Sequence, residues 1–178
     1  MSKDKKILLG VTGSIAAYKS ADLIRRLKED GYCVSVVMTR EAEKFITPLT
    51  LGSLCGQKVF QDMFDEDSWR MNHIVLAKEI DLFLIAPATA NVVGKIACGL
   101  SDDLLTTIVL ATKAKIILAP AMNDEMFKNK IVQENIKKLK SLGMIFVPPV
   151  KGNLACGTYG DGHLAEIEDI VKTVKSIV

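Results

Sequence analysis

Lys6-Ile7-Leu8-Leu9-Gly10-Val11-Thr12-Gly13-Ser14-Ile15-Ala16 begins as an apolar run with no 3.6-residue period, breaks at Gly13-Ser14 and resumes with helical spacing. Residues 6–12 therefore read as a buried strand. From Ile15 onward, Ala16, Ala17, Ser20, Ala21, Leu23, Ile24 and Leu27 trace one face of a helix that Gly31 can end. Outward from this junction, residues 33–38, 82–86, 115–119 and 144–147 are further strands, bracketed by helical segments. Short apolar strands alternating with helices predict an α/β fold, a single doubly wound parallel sheet of Rossmann or flavodoxin-like type with helices on both faces. With no repeat, low-complexity segment or dividing linker, residues 1–178 are expected to form one domain. The pattern lapses at 151–162, which is rich in glycine and lacks periodicity. It reads as a loop, and a loop of that length in a compact domain is more often functional than idle.

Bulk composition narrows the function classes. A domain near 178 residues buries roughly 70% of its unfolded surface, so it needs neither disulfides nor metal to hold a core. Lys plus Arg (23) nearly balances Asp plus Glu (21), which argues against a nucleic-acid or membrane-surface partner. Cys33, Cys55, Cys98 and Cys156 lie far apart with no Cys-x-x-Cys pair, so no metal site is expected and free thiols suit a reducing, cytoplasmic setting. Neither a signal-peptide core nor an apolar run of membrane-spanning length is present.

In open α/β sheets, ligands sit beyond the carboxyl ends of the strands, where helix N-termini attract phosphate. Gly13 is expected to permit an unusual backbone angle there, and the Ser14 hydroxyl with nearby N–H groups could hold a phosphate. The spacing is neither Gly-x-Gly-x-x-Gly nor the Gly-Lys-Ser/Thr loop of ATP sites. The second strand ends in Thr39, where an NAD site would place an acid. A mononucleotide is favoured over a dinucleotide, with a merely structural turn as the other reading. In Ala86-Pro87-Ala88-Thr89-Ala90-Asn91, Pro87 is expected to stop the strand and Thr89 to cap the next helix. Ser101 or Asp102 could cap another. His73 can be read as a helix-start residue, Asn123 as an N-cap and Cys156 as a small core residue.

Taken together, the segments are similar to the homo-oligomeric flavin-containing Cys decarboxylase family. The resemblance rests on Thr12-Gly13-Ser14-Ile15-Ala16-Ala17-Tyr18-Lys19, Asn72-His73-Ile74, the 86–91 stretch and Gly99 to Leu105. It continues through Pro120-Ala121-Met122-Asn123 and Leu154-Ala155-Cys156-Gly157-Thr158-Tyr159-Gly160. It implies FMN as cofactor. Gly13, Ser14, Ile15 and Ala16 would hold its phosphate end, Thr39 would lie alongside, Thr89, Ala90 and Asn91 would line the flavin, and Ala121 would lie close. His73, Asn123 and Cys156 carry over as catalytic positions. Met122, Asn123, Ala155 and Gly157 carry over as substrate contacts. The family's members bind FMN at subunit contacts, so the resemblance also implies a homo-oligomer, a trimer or a dodecamer built from trimers.

The implied reaction is decarboxylation of 4′-phosphopantothenoylcysteine to 4′-phosphopantetheine. A carboxylate beside a saturated carbon does not leave, because the carbanion cannot place its charge. Hydride removal from the thiol-bearing carbon, a flavin's task, gives a thioaldehyde that acts as the electron sink. Carbon dioxide then departs and an enethiol remains. His73 would take the thiol proton, Asn123 would fix the carboxylate, and Cys156 would protonate the enethiol carbon as it is reduced. Alternatives are a decarboxylase of a peptide's C-terminal cysteine (lantibiotic type), a flavin prenyltransferase and a non-catalytic FMN-binding regulatory subunit. Two departures stand out. Bacterial members are commonly fused to a ligase domain, whereas this sequence stops at Val178. Gly162 is followed by His163 where the family usually has arginine.

Overall fold

The computed structural model describes residues 5–64, 72–153, 157 and 159–178. In chain order the elements are β1 (Lys6–Val11), a 3-10 turn (Ile15–Lys19) running into α1 (Ser20–Glu29), and β2 (Cys33–Met38). A second 3-10 turn (Ala42–Lys44), α2 (Pro48–Cys55), α3 (Asn72–Glu79) and β3 (Leu82–Ala88) follow. Next come α4 (Ala90–Cys98), α5 (Leu104–Ala111), β4 (Lys115–Pro120), α6 (Asp124–Lys128), α7 (Lys130–Ser141) and β5 (Ile145–Phe146). The chain ends with β6 (Val150–Asn153), β7 (Tyr159–His163) and α8 (Ile167–Lys175).

The main sheet is five-stranded and parallel, in the order β2-β1-β3-β4-β5. In register, Ile7 lies between Val34 and Leu82. Side chains of a strand alternate between its faces, so β1 sends Ile7, Leu9 and Val11 into one core and Leu8 into the other. The first core is closed by Leu23, Ile24 and Leu27 of α1 and by Ile170, Val171 and Val174 of α8. The second is closed by α3, α4, α5 and α7. This is the doubly wound α/β sheet expected from the strand pattern.

Four local expectations need correction. The helix after Gly13 opens as a 3-10 turn before becoming α1. Pro87 does not stop its strand: β3 continues to Ala88 through a cis Ala86–Pro87 bond, and its register against β4 shifts between Ile85 and Ala88. The cap of α5 is Asp103, because Asp103 and Thr106 satisfy each other's backbone in a capping box, while Asp102 pairs with Lys95 at 2.8 Å. Finally, 151–162 is not simply a loop. β6 and β7 form a two-stranded antiparallel ladder, with Gly152 opposite Gly160.

The outer strand β2 does not end the hydrogen bonding on its side. Phe60 bridges to Val37 in parallel sense, donating to the Val36 carbonyl (2.9 Å) and accepting from the Met38 amide (2.9 Å). Gln57 Nε2 donates to the Val34 carbonyl at 2.6 Å. No helix among the described residues is long and apolar enough to cross a membrane.

Candidate active site

The carboxyl ends of β1, β3 and β4 are tied together by buried polar contacts. Thr12, at the end of β1, donates its hydroxyl to the Pro87 carbonyl (2.7 Å) and accepts from the Thr89 amide (3.1 Å). Ser20 donates to the Ala86 carbonyl (3.1 Å), and the Ala121 amide donates to the Ala88 carbonyl (3.1 Å). These bonds fix the spacing of the 12–14, 87–91 and 120–123 turns before any ligand binds.

A cavity of about 290 Å³ opens where the three turns converge. Gly13 and Ser14 line it from the first turn and Thr39 from the end of β2; Thr89, Ala90 and Asn91 line it from the third strand, and Ala121 and Met122 from the fourth. Glu41, Val92 and Met126 complete the wall and were not anticipated from the sequence. A second cleft of about 550 Å³ adjoins it, sharing Thr39 and Glu41. In that cleft the Asp102 carboxylate, hydrogen-bonded by Lys95, holds the lysine above its usual pKa and is itself held below the usual carboxylate range.

Gly13 has a reason other than the one expected. It is not in the left-handed region; instead, a Cβ there would collide with the Glu41 Cβ, so glycine is what lets the 39–42 turn close against the 12–14 turn. Ser14 caps the 3-10 turn, its Oγ accepting from the Ala16 amide at 3.3 Å. Ile15 and Ala16 stand beside the cavity without lining it: Ile15 is exposed and Ala16 packs into the core.

The catalytic candidates are placed differently from one another. Asn123 directly follows the cavity wall at Met122 and caps α6, its Oδ1 accepting from Glu125 N (2.9 Å) and Met126 N (3.4 Å). His73 lies in the first turn of α3, half-buried, and does not line the cavity; its Nδ1 is buried with no hydrogen-bond partner among the described residues. Neither His73 nor Asn123 is among the residues that line this cavity. Cys156 and Ala155 lie outside the described residues. Gly157 is exposed, with φ +83°. His163 in β7 accepts a hydrogen bond at Nε2 from Lys19 Nζ at 3.1 Å, so the position that departs from the family pattern has a lysine cation beside it.

The wall suits a mononucleotide. The buried Thr39 Oγ1 has no hydrogen-bond partner among the described residues, which leaves one hydroxyl for a ligand. Ser14 and Thr89 lie to either side, and Ala90, Val92, Ala121 and Met122 offer apolar surface for a planar ring. No group of three or more His, Cys, Asp or Glu side chains could hold a metal among the described residues.

Comparison with known proteins agrees with this geometry. The model of the family described as Flavoprotein matches residues 1–178. The chain belongs to the Flavoprotein family. It is 50% identical over 168 residues to the coenzyme A biosynthesis bifunctional protein CoaBC of Vibrio vulnificus, covering 94% of this chain and 42% of that protein. The chain thus spans less than half the length of that relative. It is 45% identical over 174 residues to the probable phosphopantothenoylcysteine decarboxylase of Streptococcus mutans, covering 96% of this chain and 97% of that one. Among solved structures, a cysteine-to-serine mutant of PPC decarboxylase complexed with pantothenoylaminoethenethiol superposes with a TM-score of 0.87 at 33% identity, covering 98% of both chains. The FMN-binding protein AtHal3 gives 0.83 at 35% identity, covering 98% of this chain and 96% of that one. This member of the Flavoprotein family therefore shares fold and length with proteins named as decarboxylases and as FMN binders.

Proposed function

We propose that this chain is an FMN-dependent decarboxylase that converts 4′-phosphopantothenoylcysteine to 4′-phosphopantetheine in the cytoplasm. The observation that carries the reading is the single cavity at which Gly13-Ser14, Thr39, Thr89-Ala90-Asn91 and Ala121-Met122 converge, with Asn123 next in the chain. Bound there, FMN supplies the two-electron oxidation of the thiol-bearing carbon and the return of those electrons.

Each protein group has a separate task. Ser14, the N–H groups of the 3-10 turn with Ile15 and Ala16, and the unpartnered Thr39 hydroxyl hold the phosphate end. Thr89, Ala90, Asn91 and Ala121 position the ring. Asn123 caps α6 through its oxygen, and its amide is assigned to the substrate carboxylate. A neutral donor there fixes the carboxylate without a charge that would resist its loss as carbon dioxide. His73 accepts the thiol proton as the general base. Cys156 protonates the enethiol carbon as the general acid. Met122, Ala155 and Gly157 contact the substrate, and Lys19 beside His163 supplies fixed positive charge where the family pattern has arginine.

His73 reaches this site from a second copy of the chain, and the working assembly is a trimer or a dodecamer built from trimers. That His73 does not line the cavity of its own chain supports this reading.

The test uses the purified holoprotein. It should be yellow, release FMN on heating, and form carbon dioxide from 4′-phosphopantothenoylcysteine far faster than from a peptide ending in cysteine. Cys156→Ser should release carbon dioxide but accumulate enethiol, whereas Asn123→Asp should release little. A colourless protein that cannot be reconstituted with FMN would overturn the reading. A preference for the peptide would move the substrate to the other branch of the reaction class.

A further inference from the structure

The β6–β7 hairpin is held against the Asn123 turn by contacts that the reaction does not itself require. The Met122 amide donates to the Gly162 carbonyl at 3.0 Å, and the Asp161 amide donates to Asp124 Oδ1 at 3.0 Å. The other oxygen of the same carboxylate, Oδ2, accepts from Lys128 Nζ at 2.7 Å. The Asp124 side chain is only 16% exposed, and the Lys128 hydrogen bond holds its carboxyl below the usual carboxylate range. Both strand glycines are needed for this approach. A Cβ on Gly160 would sit 2.6 Å from the Asp124 Cγ, and one on Gly162 would collide with the Met122 carbonyl oxygen.

We propose that Asp124 is a positioning residue, a latch that docks β7 onto the turn presenting Asn123 and so sets the placement of hairpin and Asn123 together. Asn123 and Asp124 are consecutive and divide the work: Asn123 caps α6, and Asp124, the first residue of that helix, grips the neighbouring strand. Lys128 stands one helical turn on and pairs with the second carboxylate oxygen, which leaves Oδ1 turned to the Asp161 amide. The link to Asn123 rests on the proposed function; the docking of β7 does not.

The experiment reads docking and turnover separately in the holoprotein. Hydrogen exchange at the Met122 amide reports the hairpin's attachment, because that amide bonds to Gly162 and not to Asp124. In Asp124→Ala it should exchange about tenfold faster, the scale expected from losing one hydrogen bond to a charged group. Asp124→Asn keeps an acceptor oxygen and should restore near-normal exchange. Turnover of 4′-phosphopantothenoylcysteine should follow the same order, with kcat down about tenfold in Asp124→Ala, recovered in Asp124→Asn, and FMN content equal in all three. Gly160→Ala should imitate Asp124→Ala, because its methyl group would enter the space of the Asp124 carboxylate. Unchanged Met122 exchange in Asp124→Ala would overturn the latch. Faster exchange in a protein that never turns over that substrate would leave the latch standing and sink the functional reading instead.

Discussion

At Gly13 the demand on the side chain is spatial. A β-carbon would enter the volume of the Glu41 Cβ, so the two turns that flank the proposed phosphate position could not close. Gly13→Ala should therefore fold, because the clash lies at the rim and not in either core, but lose FMN affinity by about tenfold or more, a shift of roughly 1.4 kcal/mol. Flavin fluorescence on titration with FMN measures it; tight binding by the variant would show that the turns have slack. The glycine itself was legible in the sequence, while its reason was not, since Glu41 lies far along the chain and only the fold brings the two together. His73 was legible as a helix start, and α3 does begin there. That it does not line the cavity of its own chain could not be read from any spacing.

The elements that were legible are those with a strong apolar pattern. β1 and β3 read as strands because Ile7, Leu9, Leu82 and Leu84 belong to one core and Leu8, Phe83 and Ile85 to the other. β7, Tyr159-Gly160-Asp161-Gly162-His163, has no such signal. Its strand character comes from its ladder to β6 and its docking on Met122 and Asp124, which are tertiary causes. The cap of α5 was ambiguous for a different reason. Ser101, Asp102 and Asp103 are all good caps, and Lys95 pairs with both aspartates, but it is Asp103 whose side chain accepts from the Thr106 amide. At this scale Thr12 is the joint between β1 and β3. Thr12→Val keeps the shape but leaves the Pro87 carbonyl and the Thr89 amide without their buried partner. It should lower stability by about 2 kcal/mol in urea denaturation and weaken FMN binding as the 87–91 turn loosens. An unchanged denaturation midpoint would mean that water replaces the hydroxyl.

For the whole molecule, the proposed sharing of His73 and Asn123 between copies makes assembly a matter of chemistry. If each site takes His73 from one copy and Asn123 from another, His73→Asn and Asn123→Asp are both nearly inactive alone. Unfolded together and refolded as mixed oligomers, they should regain a substantial fraction of activity, because some sites then carry neither substitution. Sedimentation should show a multiple of three 19.4 kDa chains in the active fraction. Mixed oligomers with no recovered decarboxylation would place both residues in the same copy.

The segment around Phe60 bears on how such copies can meet. An outermost strand with open amides and carbonyls is a template onto which another chain can add, the route to cross-β aggregates. Here Phe60 and Gln57 occupy that row beside β2, and at the opposite margin β5 is only two residues long. Neither side of the sheet offers a long bare backbone, so copies have little to gain by strand addition. The proposed association would have to use side-chain surfaces instead, where shape and charge can limit the number of partners, and in a trimer growth would stop at a closed ring.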